Sequence, residues 1–175
     1  RGRGKLDLGR QLSAAELELS SHPQPDMQRN LGSLQWQQDR TTDTQISTWS
    51  GRLGRLRETS HDERLLFLEL LRSREQSELA TINAGAWSLN AQWIRRRVDN
   101  SLLPEDGNTA LLLLGAGRAD SNLLPSGPFA RAHLKLNWYR PVGAHWYASL
   151  RTELGELFAR EQTGLPNKLL FQAGG

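Results

Sequence analysis

Polarity alternates residue by residue along most of this chain, and that period of two constrains the fold more than any other feature. In His133-Leu134-Lys135-Leu136-Asn137-Trp138-Tyr139, Leu134, Leu136 and Trp138 share one face and the polar residues take the other. A turn at Pro141-Val142-Gly143 follows. Trp146, Ala148, Leu150, Thr152 and Leu154 then alternate with His145, Tyr147, Ser149, Arg151 and Glu153. Successive side chains of an extended chain point to opposite faces, so this pattern predicts two long strands in a hairpin.

The same reading extends upstream. Leu6 and Leu8 alternate with Lys5 and Asp7, and Ala15, Leu17 and Leu19 with Glu16, Glu18 and Ser20. Leu34 and Trp36 alternate with Ser33, Gln35 and Gln37, and Trp87, Leu89, Ala91 and Trp93 with Ser88, Asn90 and Gln92. Turn-forming clusters stand between the segments at 22–26, 41–43, 59–63, 104–107 and 124–128. The segment Glu63–Glu78 carries Leu65, Leu66, Leu68, Leu70 and Leu71 among charges. It fits an amphipathic helix, but Leu66, Leu68 and Leu70 also fit period two, and its neighbours are strands; a strand is expected. About ten strands result, many of ~10 residues or more. That exceeds the usual ~5–6 and suits strands that cross a bilayer at a tilt.

Composition narrows the choice. Of 175 residues, 37% are hydrophobic and 23% charged, and mean hydropathy is -0.59. A soluble domain with a full-sized core usually has more apolar content. A barrel with a polar lumen needs less, because half of each strand faces water. No stretch approaches the ~18–20 apolar residues of a membrane helix; the longest aliphatic run is Leu111–Leu114. The N-terminal residues hold no apolar signal region. With no cysteine there is no disulfide framework or thiolate site. A net charge of +3 does not by itself imply nucleic acid. Trp36, Trp87, Trp93, Trp138 and Trp146 fall on the apolar faces, as in the aromatic girdles of membrane barrels. A soluble sandwich core accepts tryptophan equally well.

Signals for chemistry are weak. Leu111–Asp120 imitates a dinucleotide-binding turn through Gly115 and Gly117, but it lacks the third glycine and the following helix. Glycines that let a strand bend or pack closely explain it better. His22, His61, His133 and His145 show no metal-ligand spacing. His133 and His145 are candidate neighbours across the hairpin, and polar lumen residues are the simpler reading. No strained-turn nucleophile is present. Carboxylates mixed with arginines read as a charged wall, so no enzyme, metal or cofactor is expected. Arg95-Arg96-Arg97 beside Trp93 is soon followed by Asp99, Glu105 and Asp106, which argues against a nucleic-acid surface and for a strand end near an interface or in the lumen.

Two stretches carry a resemblance. Trp93–Gly107 resembles the W-x-x-R-x-x-D-x-x-x-x-P-x-x-G stretch that precedes a long barrel strand in TamA-like proteins, with Trp93, Arg96, Asp99, Pro104 and Gly107 matching. Tyr147–Gly175 is similar to the strand and following segment that lead to the Val-Arg-Gly-Tyr loop, with Arg151, Glu153, Gly155, Pro166, Phe171, Ala173, Gly174 and Gly175 matching. Over residues 93–175 the chain thus resembles the BamA/TamA superfamily of outer-membrane β-barrels. Residues 1–92 fit its earlier strands only by pattern.

The resemblance implies an all-β, antiparallel transmembrane barrel segment of meander strands, an incomplete barrel in which POTRA domains and C-terminal strands are absent. It implies a location in the bacterial outer membrane and a role in assembling or translocating autotransporter-like β-barrel clients. The partners implied are outer-membrane lipid, client proteins and, through POTRA domains, a periplasm-spanning protein; nucleic acid is not among them. The family mechanism is templating: a weak seam between first and last strands opens, and a client strand pairs with the exposed edge. Arg151 and Glu153 are expected to help anchor the lumen loop. The rival readings are a porin-like passive barrel and a soluble β-sandwich binding module.

Overall fold

The computed structural model describes residues 2–9, 12–41, 43–78, 80–99, 104–143, 145–159 and 163–164. Among them every regular element is a strand. These are β1 (Gly2–Leu8), β2 (Leu12–Ser20), β3 (Gln28–Arg40), β4 (Thr44–Glu58), β5 (Asp62–Ser77), β6 (Thr81–Val98), β7 (Gly107–Ser121), β8 (Gly127–Val142) and β9 (Trp146–Ala159). Each pairs antiparallel with the next, in one open nine-stranded sheet in sequence order. This is the expected all-β meander and is consistent with an incomplete barrel. The motif residues Pro166, Phe171, Ala173, Gly174 and Gly175 lie outside the described residues.

From β3 onward the strands run 13–18 residues. Glu63–Glu78 belongs to strand β5, so period two prevails over the helical reading. The dinucleotide reading of Leu111–Asp120 fails, because those residues run straight through β7. The connections use the expected turn chemistry. Gly107 has φ 119°, where a side chain would meet the Arg97 carbonyl, and Gly143 has φ 69°. Four expected turns are trimmed: Asp62 and Glu63 already belong to β5, Gly107 to β7, and Gly127, Pro128, Pro141 and Val142 to β8. Two further reversals, closed by Gly9 N–H donating to the Leu12 carbonyl and Ser77 N–H to the Ala80 carbonyl, are not among the expected turns.

The sheet curls. Arg3 on β1 and Gln92 on β6 line the same hollow of about 730 Å³, together with Glu18, Arg29, Arg52 and Phe67. Residues facing the hollow form the inner face. A small apolar cluster of Leu71, Ala86, Ala119 and Phe129 lies on that face, with Leu157 packed against it. Close approach on the inner face explains Gly54, where a Cβ would lie 2.7 Å from that of Phe67.

Candidate functional site

The two faces of the sheet differ in chemistry. On the outer face β5 presents Leu66, Leu68 and Leu70, and β6 presents Trp87, Leu89, Ala91 and Trp93. β7 presents Leu112, Leu114 and Ala116, and β8 presents Ala130, Ala132, Leu134, Leu136 and Trp138. Many of these side chains are left open: Leu66 is 54% exposed, Leu89 53% and Trp87 50%. All six tryptophans share this face. Trp36 and Trp49 stand opposite each other on β3 and β4, with ring centroids 6.2 Å apart. Trp49 went unnoticed in the sequence, because Gly51, Gly54 and Arg55 blur the alternation of β4.

The register fixes the shape of this apolar band. Leu53, Leu68, Leu89, Ala116 and Ala130 are directly paired from strand to strand, so they form one row. Beyond that row, toward the β4–β5 turn, an outer-face arginine closes the band on most strands. It comes one same-face step away on β4 (Arg55), two on β5 (Arg64), three on β6 (Arg95) and five on β8 (Arg140). At the opposite end Arg72 and Arg118 close it on β5 and β7. The band therefore climbs obliquely across the strands. Such a climb is required when strands tilt roughly 35–45° to a barrel axis and the belt stays level.

The inner face is charged and hydrogen-bonded. At its centre Glu69 on β5 is buried, with Oε2 accepting from Arg131 Nη2 on β8 at 2.7 Å and Oε1 from Arg52 on β4 at 2.7 Å. Arg131 also donates to Asn90 Oδ1 from Nη2 at 2.8 Å and from Nε at 3.2 Å. Asn90 Nδ2 in turn donates to Ser88 Oγ at 2.9 Å. Asn90 and Ser88 are 1% and 2% exposed. Arg131 reaches this far because Gly115 lies between on β7, where a Cβ would collide with Asn90 Oδ1. No buried side-chain polar atom among the described residues lacks a partner, as a low-dielectric interior demands.

A second group sits on the β8–β9 hairpin. Glu153 meets His133 Nε2 at 2.9 Å, Arg151 Nη2 at 3.2 Å and Lys135 Nζ at 3.7 Å. His133 and His145 are not neighbours. His133 pairs with Gly155, whereas His145 lies in the turn at the far end of the hairpin; antiparallel pairing across a tight turn separates them along the strand.

The remaining motif residues fall in two places. Trp93 faces outward, and its Nε1 donates to Asp62 Oδ1 at 3.0 Å; Arg96 faces inward and pairs with Glu63 at 3.3 Å. Asp99 Oδ1 accepts from the backbone N–H groups of Glu105 and Asp106 at 3.1 and 3.2 Å, closing the loop that contains Pro104 and ends at Gly107. Arg151, Glu153 and Gly155 share the inner face of β9. The motif residues are thus split between one loop and one wall, and do not converge on a pocket. Among the described residues no group of three or more His, Asp or Glu could hold a metal ion. The Glu69–Arg131–Asn90 centre was missed in the sequence; nothing short of the register of β4 to β8 brings it together.

Compared with known proteins, the chain matches no family model and no curated protein.

Proposed function

We propose that this chain supplies barrel wall to an outer-membrane β-barrel of the BamA/TamA type, which assembles or translocates other β-barrel proteins. The observation that carries the membrane half of this reading is the placement of all six tryptophans on the outer face, about an aliphatic band edged by arginines. Water disfavours so much exposed aliphatic surface, whereas hydrocarbon accepts it and tryptophan prefers the interface. The inner wall supports the same reading, since its charges face a hollow that water can fill. The connections at residues 21–27 and 99–106 are the longest, and both lie at the end where Arg55 and Arg64 edge the band. Longer loops mark the outer side of such barrels.

The assembly half rests on the motif residues of 93–107 and 151–155, and in it a client strand is taken up at a sheet edge. Among the described residues β1 pairs only with β2 and β9 only with β8. An unpaired edge within lipid is costly, because hydrocarbon satisfies no backbone N–H or C=O. Pairing with a strand of another barrel protein removes that cost, and this is the driving force for templated assembly. No cofactor, metal or catalytic group enters the process.

The test places a photo-crosslinking residue at Asp7, on β1, in cells expressing the protein. Adducts with newly exported barrel proteins are expected. Their absence, together with salt-dependent conductance of the purified protein in planar bilayers, would instead favour a passive channel.

A further inference from the structure

We infer that the arginine rim at the β4–β5 end of the outer face is a binding site for a lipid whose headgroup carries two phosphates. The inference rests on the reading of the outer face as lipid-facing. Arg55 and Arg57 on β4, Arg64 on β5, and Arg95 and Arg97 on β6 all project from that face. Arg57 and Arg64 are directly opposed, a like-charge pairing that destabilises a sheet unless an anion bridges it. Among the described residues none of the five is in an ion pair. The only outer-face acid within the patch, Asp62, is hydrogen-bonded to the Trp93 indole. On the three strands the rim thus carries five arginines against one aspartate; of the acids just past Arg97, Asp99 is turned to the backbone N–H groups of Glu105 and Asp106. At ~4.8 Å between strands and ~3.3 Å per residue, the patch measures roughly 10 by 20 Å. That is more than a single phosphate can span. Arginine's planar fork also suits phosphate oxygens in bidentate pairs.

The surface beside the rim shows why the ligand is an amphiphile. Beside Arg55, which pairs with Leu66, and Arg64, one same-face step from it, the outer face sinks into a shallow groove of about 450 Å³, lined by Leu66, Leu89, Ala91, Leu114, Ala116 and Phe158. An acyl chain lying in this groove places its headgroup among the guanidiniums. Arg95 is already held over the Trp93 ring, 6.0 Å from its centroid, at the boundary between groove and rim. The arginines at the opposite end have an acid among them: Arg118 is two residues from Asp120, and Arg72 and Arg74 line a smaller hollow of about 390 Å³ together with that same aspartate.

The test uses the full chain folded into phosphatidylcholine vesicles, with affinity measured for diphosphoryl lipid A, monophosphoryl lipid A and inorganic phosphate. Diphosphoryl lipid A is expected to bind at least tenfold more tightly than the monophosphoryl form, and millimolar inorganic phosphate is expected not to displace it. Arg57→Gln with Arg64→Gln is expected to raise its Kd tenfold or more. The control pair Arg72→Gln with Arg74→Gln, at the other rim, should leave it unchanged. Equal affinity for both lipids, displacement by free phosphate, or equal losses at both rims overturns the inference while the chain still inserts. Failure of the wild-type chain to enter phosphatidylcholine vesicles overturns the membrane reading itself, and this inference with it.

Discussion

Arg131 Nη2 lies 2.7 Å from Glu69 Oε2, although β6 and β7 separate their strands. The pair is buried, its side chains 10% and 6% exposed, and Arg52 holds the other carboxylate oxygen. One carboxylate thus joins β4, β5 and β8 across the inner wall. The crosslink therefore ties together the inner face over five consecutive strands, β4 to β8.

Breaking the pair from one side should cost more than removing it. Glu69→Leu leaves Arg131 buried and short of acceptors, and a loss of ~3–5 kcal/mol is expected. Adding Arg131→Met to Glu69→Leu should recover most of it. Urea titration of the folded protein in detergent, following the loss of strand signal, measures both; equal instability of single and double variants would contradict the account.

Gly115 makes the crosslink possible, so Gly115→Ala should destabilise the protein by ~1–3 kcal/mol through overpacking against Asn90. Gly51→Ala is the control. Its nearest neighbour, a Leu34 methyl group, would sit 4.0 Å from the new Cβ, and no loss is expected in the same titration.

A charge on the outer face should cost according to its place in the band. Leu68→Arg, in the central row, is expected to lose ~2–4 kcal/mol when folding is measured in lipid vesicles, and Thr81→Arg, near the strand end, ~0–1 kcal/mol. Equal effects at both depths would point to a protein surface that meets water throughout.

Much of this wall can be read from the sequence, because period two reports side-chain direction whenever one face is consistently apolar. The faces of β2, β3, β6, β8 and β9 are where Leu17, Trp36, Trp93, Leu134 and Leu150 place them. β4 was harder to read. Gly51 supplies no side chain and Arg55 stands at a step where its neighbour β5 still has Leu66, since the band climbs obliquely. A single strand cannot reveal that slope; it needs the register of several. The same limit hid the inner crosslink, whose partners Glu69 and Arg131 stand 62 residues apart. His133 and His145 show the converse: they are close in sequence, yet one lies mid-strand on β8 opposite Gly155 and the other in the turn, so they are not neighbours.

Arg151 separates structure from assembly. It is well exposed on the inner face, and among the described residues its one ion pair is with Glu153, two residues away on the same strand. Arg151→Glu should therefore leave unfolding in detergent unchanged. If Arg151 anchors a lumen loop, the same variant should impair delivery of client barrels to the outer membrane in cells. Normal client levels would remove that role.

The central claim is that the outer face meets lipid, and tryptophan fluorescence tests it most directly because all six indoles lie on that face. The chain is folded into phosphatidylcholine vesicles whose acyl chains carry bromines at defined depths. Strong quenching is expected, greatest for bromines near the headgroups, as tryptophans at the edges of the band require. Fluorescence unaffected by bromine at any depth, with native strand content retained in water, would contradict it.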